Sequence, residues 1–347
     1  MKKFTKLALV SSLAISANAM AMQAMDDASL GATTGQDGLS IGIGISKIEI
    51  EKLFIHDNSG LAAGSGTNGT MELYDAAGNV VQPGVAPTPG VVGGTGAAGA
   101  IYIKGNGQGV TATKGIVIGA NYDNGPNGEV GHYLLASRNL ADLTIDSDAG
   151  GGNPFINIAA QVSGLNINIG EIGVVGSAAK PAAGAANIRR GGTGTENAIL
   201  SGLSIKTGKM DANIQLGAAP QGAMIKLNTT MVGGLEITNL GILDNSTKTA
   251  TRAAGEIFVE SIKVADANSK DLTLNQSISV IGEEGANKGY VRIVSTSGAH
   301  DNYVSGIHLG SKTAASIGDV EVQGMQTYFS PAQGVYAKGA VITIRGH

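Results

Sequence analysis

Four short stretches of this 347-residue sequence hold residue types that could do chemistry. Gly38-Leu39-Ser40-Ile41-Gly42 has the spacing of a nucleophile elbow, where a sharp strand-to-helix turn offers a Ser hydroxyl to a His and an acid. Ser40 instead stands inside an alternating run and reads as the outward residue of a strand. Gly94-Thr95-Gly96-Ala97-Ala98-Gly99 spells a dinucleotide fingerprint, which needs a strand before it and a helix after it. Pro87 and Pro89 precede it, and the strand-like Ala100-Ile101-Tyr102-Ile103 follows. Lys206-Thr207-Gly208 and Ser177-Ala178-Ala179-Lys180 match two motifs of penicillin-recognising enzymes, but the third, Ser-Asp-Asn, is absent. Asp146 and Asp148 occupy positions 1 and 3 of a calcium-loop pattern with Gly151 at position 6. Asn157 falls where the bidentate Glu belongs, so the stretch reads as a solvated turn.

The remaining titratable groups add little. His56, His132, His300, His308 and His347 stand apart, no two within four residues, and His56-Asp57 and His300-Asp301 read as loop pairs. Paired carboxylates of a glycosidase leave no sequence signature. Sugar-binding β-helices carry aromatic platforms, however, and here eight Tyr, five Phe and no Trp are scattered along the chain. The sequence therefore assigns no catalytic, cofactor-binding or metal-ligating residue, and no cofactor.

The elements that would position such groups are strands. A recurring unit joins two alternating apolar pairs through a two-residue step that reverses the phase: Ile43, Ile45, then Ile48, Ile50. Ile167, Ile169, Ile172, Val174 repeats it, as do Leu235, Ile237, Leu240, Ile242 and Ile257, Val259, Ile262, Val264. Ile205, Thr207, Met210, Ala212 is a weaker copy. Side chains alternate faces in a strand, so each step demands a bulge or a corner if both halves are to face one interior. The step residues are polar or small: Ser46-Lys47, Gly170-Glu171, Gly208-Lys209, Thr238-Asn239 and Glu260-Ser261. The pattern predicts an all-β fold, a loosely wound β-solenoid or β-prism with Gly-rich insertions; a bulged β-sandwich is the rival.

Composition sets the compartment. Lys2, Lys3 and Lys6 precede a short apolar run, Leu7 to Ala14, and Ala17-Asn18-Ala19 or Ala19-Met20-Ala21 offers a cleavage site. We read residues 1–21 as a signal peptide, whose apolar run from Leu7 to Ile15 is too short to span the ~20 residues of a bilayer. Residues 22–347 read as one elongated β-rich domain with a Gly/Pro/Ala-rich insertion at about 58–128, holding short strands near 71–74 and 101–103. A second low-complexity loop runs over 176–196. With no cysteine, the exported chain relies on its own core rather than on disulfides. The net charge of −4 becomes about −7 once the three leader lysines are removed, which disfavours nucleic acid and anionic membrane as partners.

One stretch carries a resemblance. Leu30 and Thr34-Gly35-Gln36-Asp37-Gly38-Leu39-Ser40-Ile41, behind an acidic Met25-Asp26-Asp27, resemble the mature N-terminus of exported gammaproteobacterial surface proteins of the Fil-type pilus system. The block Ile43 to Lys52 is similar to that group as well, so the resemblance covers residues 1 to about 57. It implies a role in pilus or fibre biogenesis and attachment, at the outer-membrane surface, in the periplasm or in an extracellular fibre. It carries over no functional residue. Three functions are thus expected in order: structural pilus component, adhesin-like binding module, secreted carbohydrate-active enzyme. The partners expected are other surface-assembly proteins or further copies of the chain, paired through residues 39–45. The rival reading makes 39–45 the first strand of the chain's own fold, continuing through Ile48 and Ile50.

Overall fold

In a computed structural model of the chain, the described residues are 38–64, 66, 73–74, 80–83, 85–86, 93–282 and 289–345. The leader, the stretch through Asp37 and His347 lie outside them. β-Branched residues alternating with small polar ones build strands, as pleated surfaces favour. The regular structure described is β apart from three short 3-10 turns. Among the described residues no helix is long and apolar enough to cross a membrane.

In chain order the strands are β1 (Leu39–Ile43), β2 (Lys47–Ile50), β3 (Leu53–His56), β4 (Leu73–Tyr74), β5 (Val80–Gln82), β6 (Gly99–Lys104) and β7 (Ile116–Ala120). Next come β8 (Ala141–Asp148), β9 (Phe155–Val162), β10 (Leu165–Ile169), β11 (Glu171–Ser177), β12 (Gly192–Lys206), β13 (Met210–Gly217) and β14 (Ile225–Met231). β15 (Leu235–Asp244), β16 (Gly255–Asp266), β17 (Leu272–Ile281), β18 (Tyr290–Ser295), β19 (His300–Gly310) and β20 (Ser316–Met325) follow. β21 (Tyr328–Ala332), β22 (Val335–Lys338) and β23 (Ala340–Ile344) close the series.

Two large sheets result. The first runs β1-β8-β9-β13-β14-β17-β18-β23. The second runs β2-β7-β10-β12-β15-β16-β19-β20, with β3, β6 and β11 prolonging its first three positions toward β12. Every pairing among the described residues is antiparallel, strand order rises steadily across both sheets, and neither closes. The chain meanders; it does not wind in parallel coils.

The apolar alternation becomes ladders. Leu39, Ile145, Ile158, Ile214, Ile225, Ile278, Ile293 and Ile342 stand side by side across all eight strands of the first sheet. Ile48, Ile118, Ile167, Ile205, Ile237, Ile262, Val304 and Val320 do the same in the second. A third row, Leu53, Ile103, Ile172, Leu200, Ile242, Ile257 and Leu309, lies further along the second sheet. Such cross-strand pairs are the units of sheet stability.

The phase-reversing steps fall on two transverse lines. Ser46-Lys47 and Gly208-Lys209 lie between β1 and β2 and between β12 and β13, at the corner where the chain passes from one sheet to the other. Gly170, Asn239 and Glu260 lie on a crease across the second sheet: Gly170 splits β10 from β11, and Asn239 adopts φ 57° within β15. Register shifts between β12 and β15, and between β19 and β20, mark the same line.

Bending a strand breaks ladder hydrogen bonds, and buried backbone groups need replacements. Side chains supply them at the corner. Thr207 Oγ1 accepts from Leu165 N at 2.9 Å, and Asn121 Nδ2 donates to Thr207 O at 3.1 Å. Ser163 Oγ donates to Asn139 O at 2.7 Å and accepts from Leu135 N at 3.0 Å. All three side chains are buried. The apolar core is thin, with eight buried apolar residues among those described, clustered best at Ala100, Tyr102 and Val175 beside Phe54.

The insertion at 58–128 holds the strand expected near 101–103, within β6, and also β7, which its composition does not reveal; both belong to the second sheet. The three consecutive apolar residues Ile116, Val117 and Ile118 face both sides of a sheet, so they show no alternation. The loop expected at 176–196 is shorter, because β11 runs to Ser177 and β12 starts at Gly192.

Candidate functional site

Titratable and polar groups concentrate along the crease. Alternation within Ile101-Tyr102-Ile103 turns Tyr102 away from the Ile103 ladder and onto the opposite face. There it is 1% exposed, and Gly173 leaves room for it: a Cβ on Gly173 would lie 2.4 Å from the Tyr102 hydroxyl. That hydroxyl donates to Glu171 Oε1 at 2.8 Å. Lys104 Nζ lies 3.2 Å from the same oxygen and 2.5 Å from Glu196 Oε2. Burial first, and then the Glu171 carboxylate, push the Tyr102 phenol well above its usual range. The bond to Glu196 holds the Lys104 ammonium charged beyond its ordinary pKa. The protonated phenol and the charged ammonium both serve as donors to the two carboxylates. The cluster clamps the crease.

A second group lies further along. His308, buried in β19, places Nδ1 2.6 Å from Ala314 O and Nε2 3.2 Å from Glu260 Oε1, with its ring edge-on to Phe258. Beside it, on the face opposite the apolar ladders, is a hollow of about 370 Å³. Its lining includes Asn106, Gln108, Asn168, Ser204, Asn239, Phe258 and Lys312. Asn106 ties its near wall, donating through Nδ2 to Ser201 O at 3.1 Å, and Lys312 Nζ donates to Gln108 Oε1 at 3.0 Å across it. Amides, a hydroxyl, an ammonium and one ring edge can bind a polar ligand.

The motifs singled out from sequence are scattered. Ser40 lies in β1, exposed, opposite Thr144. The glycines at 94–99 lead into β6, and Gly94 and Gly96 serve a backbone contact in which Gly96 N donates to Leu61 O at 2.8 Å. Thr207 and Gly208 are corner residues; Lys206 pairs with Asp123 at 2.7 Å. Ser177 ends β11, where its hydroxyl lies 2.7 Å from His56 Nδ1. Asp146 and Asp148 belong to strand β8 rather than to a turn, and Asp148 Oδ1 accepts from Gly150 N at 2.6 Å. No three His, Asp or Glu side chains among the described residues gather around a common point suited to a metal. His56 and His300 sit in strands, not loops, and His132 lies 3.9 Å from Glu129.

The N-terminal stretch behaves as a strand of its own chain. Leu39–Ile43 pairs residue for residue with β8, from Leu39 opposite Ile145 to Ile43 opposite Ala141. Its other edge is open among the described residues, as are those of β2, β3, β20 and β23. Residues 1–85 match a family of unknown function (DUF6160). The match takes in β1, β2, β3 and the small β4–β5 ribbon, so it spans the strands that begin both sheets. No curated protein and no solved structure matches the chain.

The crease residues had no local signal. Lys104, Glu171 and Glu196 are distant in sequence, and only the register of β6 on β11 and of β11 on β12 gathers them.

Proposed function

We propose that the protein is an exported, non-enzymatic structural component of a cell-surface fibre or pilus, acting in attachment. The observation that carries this reading is the open double meander. Two eight-position sheets bear continuous apolar ladders, bury little within themselves and end in free strand edges. Such a body is an extended scaffold rather than a shell around an active site. Among the described residues every buried polar side-chain atom has a partner, and those of Thr207, Asn121 and Ser163 hold the corner. The corner between the two sheets and the irregular line across the second support the prism form of the fold over the sandwich. Deleting the gene and imaging the cells by electron microscopy tests the function. Loss of surface fibres and of attachment, both restored by complementation, is the expected result; unchanged fibres would overturn it.

The hollow at the crease favours an adhesin-like module as the second reading. Asn168, Ser204, Asn239 and Lys312 present donors and acceptors beside the Phe258 ring, the chemistry that grips hydroxyl-rich ligands. Retained fibres with lost attachment would point to it.

A further inference from the structure

Each large sheet counts eight strand positions from one open edge to the other, an even number with every neighbour antiparallel. β23 therefore runs opposite to β1, and β20 opposite to β2. A second copy displaced by one sheet width, without being turned over, brings its β1 antiparallel against β23 and its β2 against β20. One displacement serves both sheets because their strand orders rise in the same direction.

The rows continue across that junction. The ladder of the first sheet begins at Leu39 and ends at Ile342, which are 56% and 54% exposed, each lacking an outer neighbour among the described residues. In the second sheet the apolar ladder begins at Ile48 and ends at Val320. The adjacent row on the opposite face begins at Lys47, whose side chain is 58% exposed, and ends at Glu321. The displacement thus seats apolar ends on apolar ends and sets Glu321 beside the next copy's Lys47. Glu49 and Asp319, which the same register brings near each other, are each compensated in their own chain: Glu49 by Lys114 at 3.7 Å besides the Lys47 it shares with the junction, Asp319 by Gly306 N and Tyr303 Oη, both at 2.9 Å.

Natural edge strands are blunted by Pro or by charge. β1 and β23 carry neither. β20 and β2 carry charges of opposite sign on the row they would share.

We infer that copies of this chain join head to tail through these edges, extending both sheets into one continuous meander. With neighbouring strands ~4.8 Å apart, the repeat along the fibre is about 38 Å. The inference builds on the fibre reading, yet purified protein tests it apart from the fate of fibres on cells.

The chain has no cysteine, so engineered thiols report cleanly. Within one molecule Leu39 and Ile342 are seven strand spacings apart, ~34 Å, beyond any disulfide. Across the junction they are opposite residues with Cα atoms roughly 4.5–5.5 Å apart, within disulfide reach. The purified Leu39→Cys/Ile342→Cys double variant, oxidised, should give a ladder of dimers, trimers and higher multimers on non-reducing gels, and each single variant should stay monomeric. A double variant that remains monomeric overturns the inference, as does a Leu39→Cys variant that dimerises as readily as the double. Lys47→Glu and Glu321→Lys should each raise the concentration needed for assembly roughly fivefold, and the combined swap should restore it. Singles without effect, or a swap without rescue, would overturn the register. Assembly in solution by a protein whose deletion leaves fibres intact would sink the cellular role and spare this junction.

Discussion

Tyr102, the most deeply placed large side chain, and the aspartates at the other end of the second sheet show how single residues hold this thin fold. The strand reading of Ile101-Tyr102-Ile103 was available from alternation, and so was the face Tyr102 takes. Its cover was not, because Gly173 meets it only through the pairing of β6 with β11. At the far edge Asp319 accepts from Gly306 N at 2.9 Å and from Tyr303 Oη. Asp301 accepts from Asn268 N at 2.9 Å and from Gly324 N at 2.7 Å. The backbone bonds, chiefly, hold both carboxyls below the usual range. A carboxyl whose folded pKa is lowered contributes stability above its unfolded pKa of about 3.9 and loses it as pH falls through the folded value. β20 should therefore loosen in acid, below about pH 4. Urea unfolding of Asp319→Asn should show a lower midpoint at pH 7 and a flatter decline between pH 5 and 3 than the natural chain. Parallel pH curves would show that Asp319 does not tie the edge.

At the scale of the element, one sequence signal produced two kinds of bend. A phase reversal marks a place where the chain must turn: three of the five steps fall at strand ends and one at the left-handed Asn239, while Glu260-Ser261 lies within the unbroken β16. Whether the turn leads to another sheet or only creases the same one depends on what the neighbouring strands do at that level. Ser163-Gly164 beside Thr207-Gly208 makes a corner, whereas Asn239 beside Glu260 makes a crease within paired strands. Asn239 sits in the left-handed region, which Asn tolerates and a β-branched residue does not. Asn239→Val should cost about 1–2 kcal/mol in urea unfolding, and Asn239→Gly far less. Equal costs would mean that contacts in the hollow, not backbone conformation, fix the residue.

For the whole molecule, all-β architecture followed from the alternation, but the meander did not. Coils and meanders place the same residues on the same faces; only strand direction separates them, and Gly-rich connections hide it. In a meander each strand is held by its two neighbours alone, so stability builds inward from the edges. Amide exchange of the dissociated protein should be fastest in β20, which is exposed along its whole length, and slowest in central strands such as β12 and β13. Uniform protection would contradict this. The rising strand order also sets a direction in time. Each strand that arrives joins an edge already laid down, and none waits for a partner still to come on its inner side. A chain delivered N-terminus first, from a ribosome or through a pore, can lock into place strand by strand behind the point of release. Growth stops only when the chain runs out, and the last strand laid is as ready to accept a neighbour as any before it.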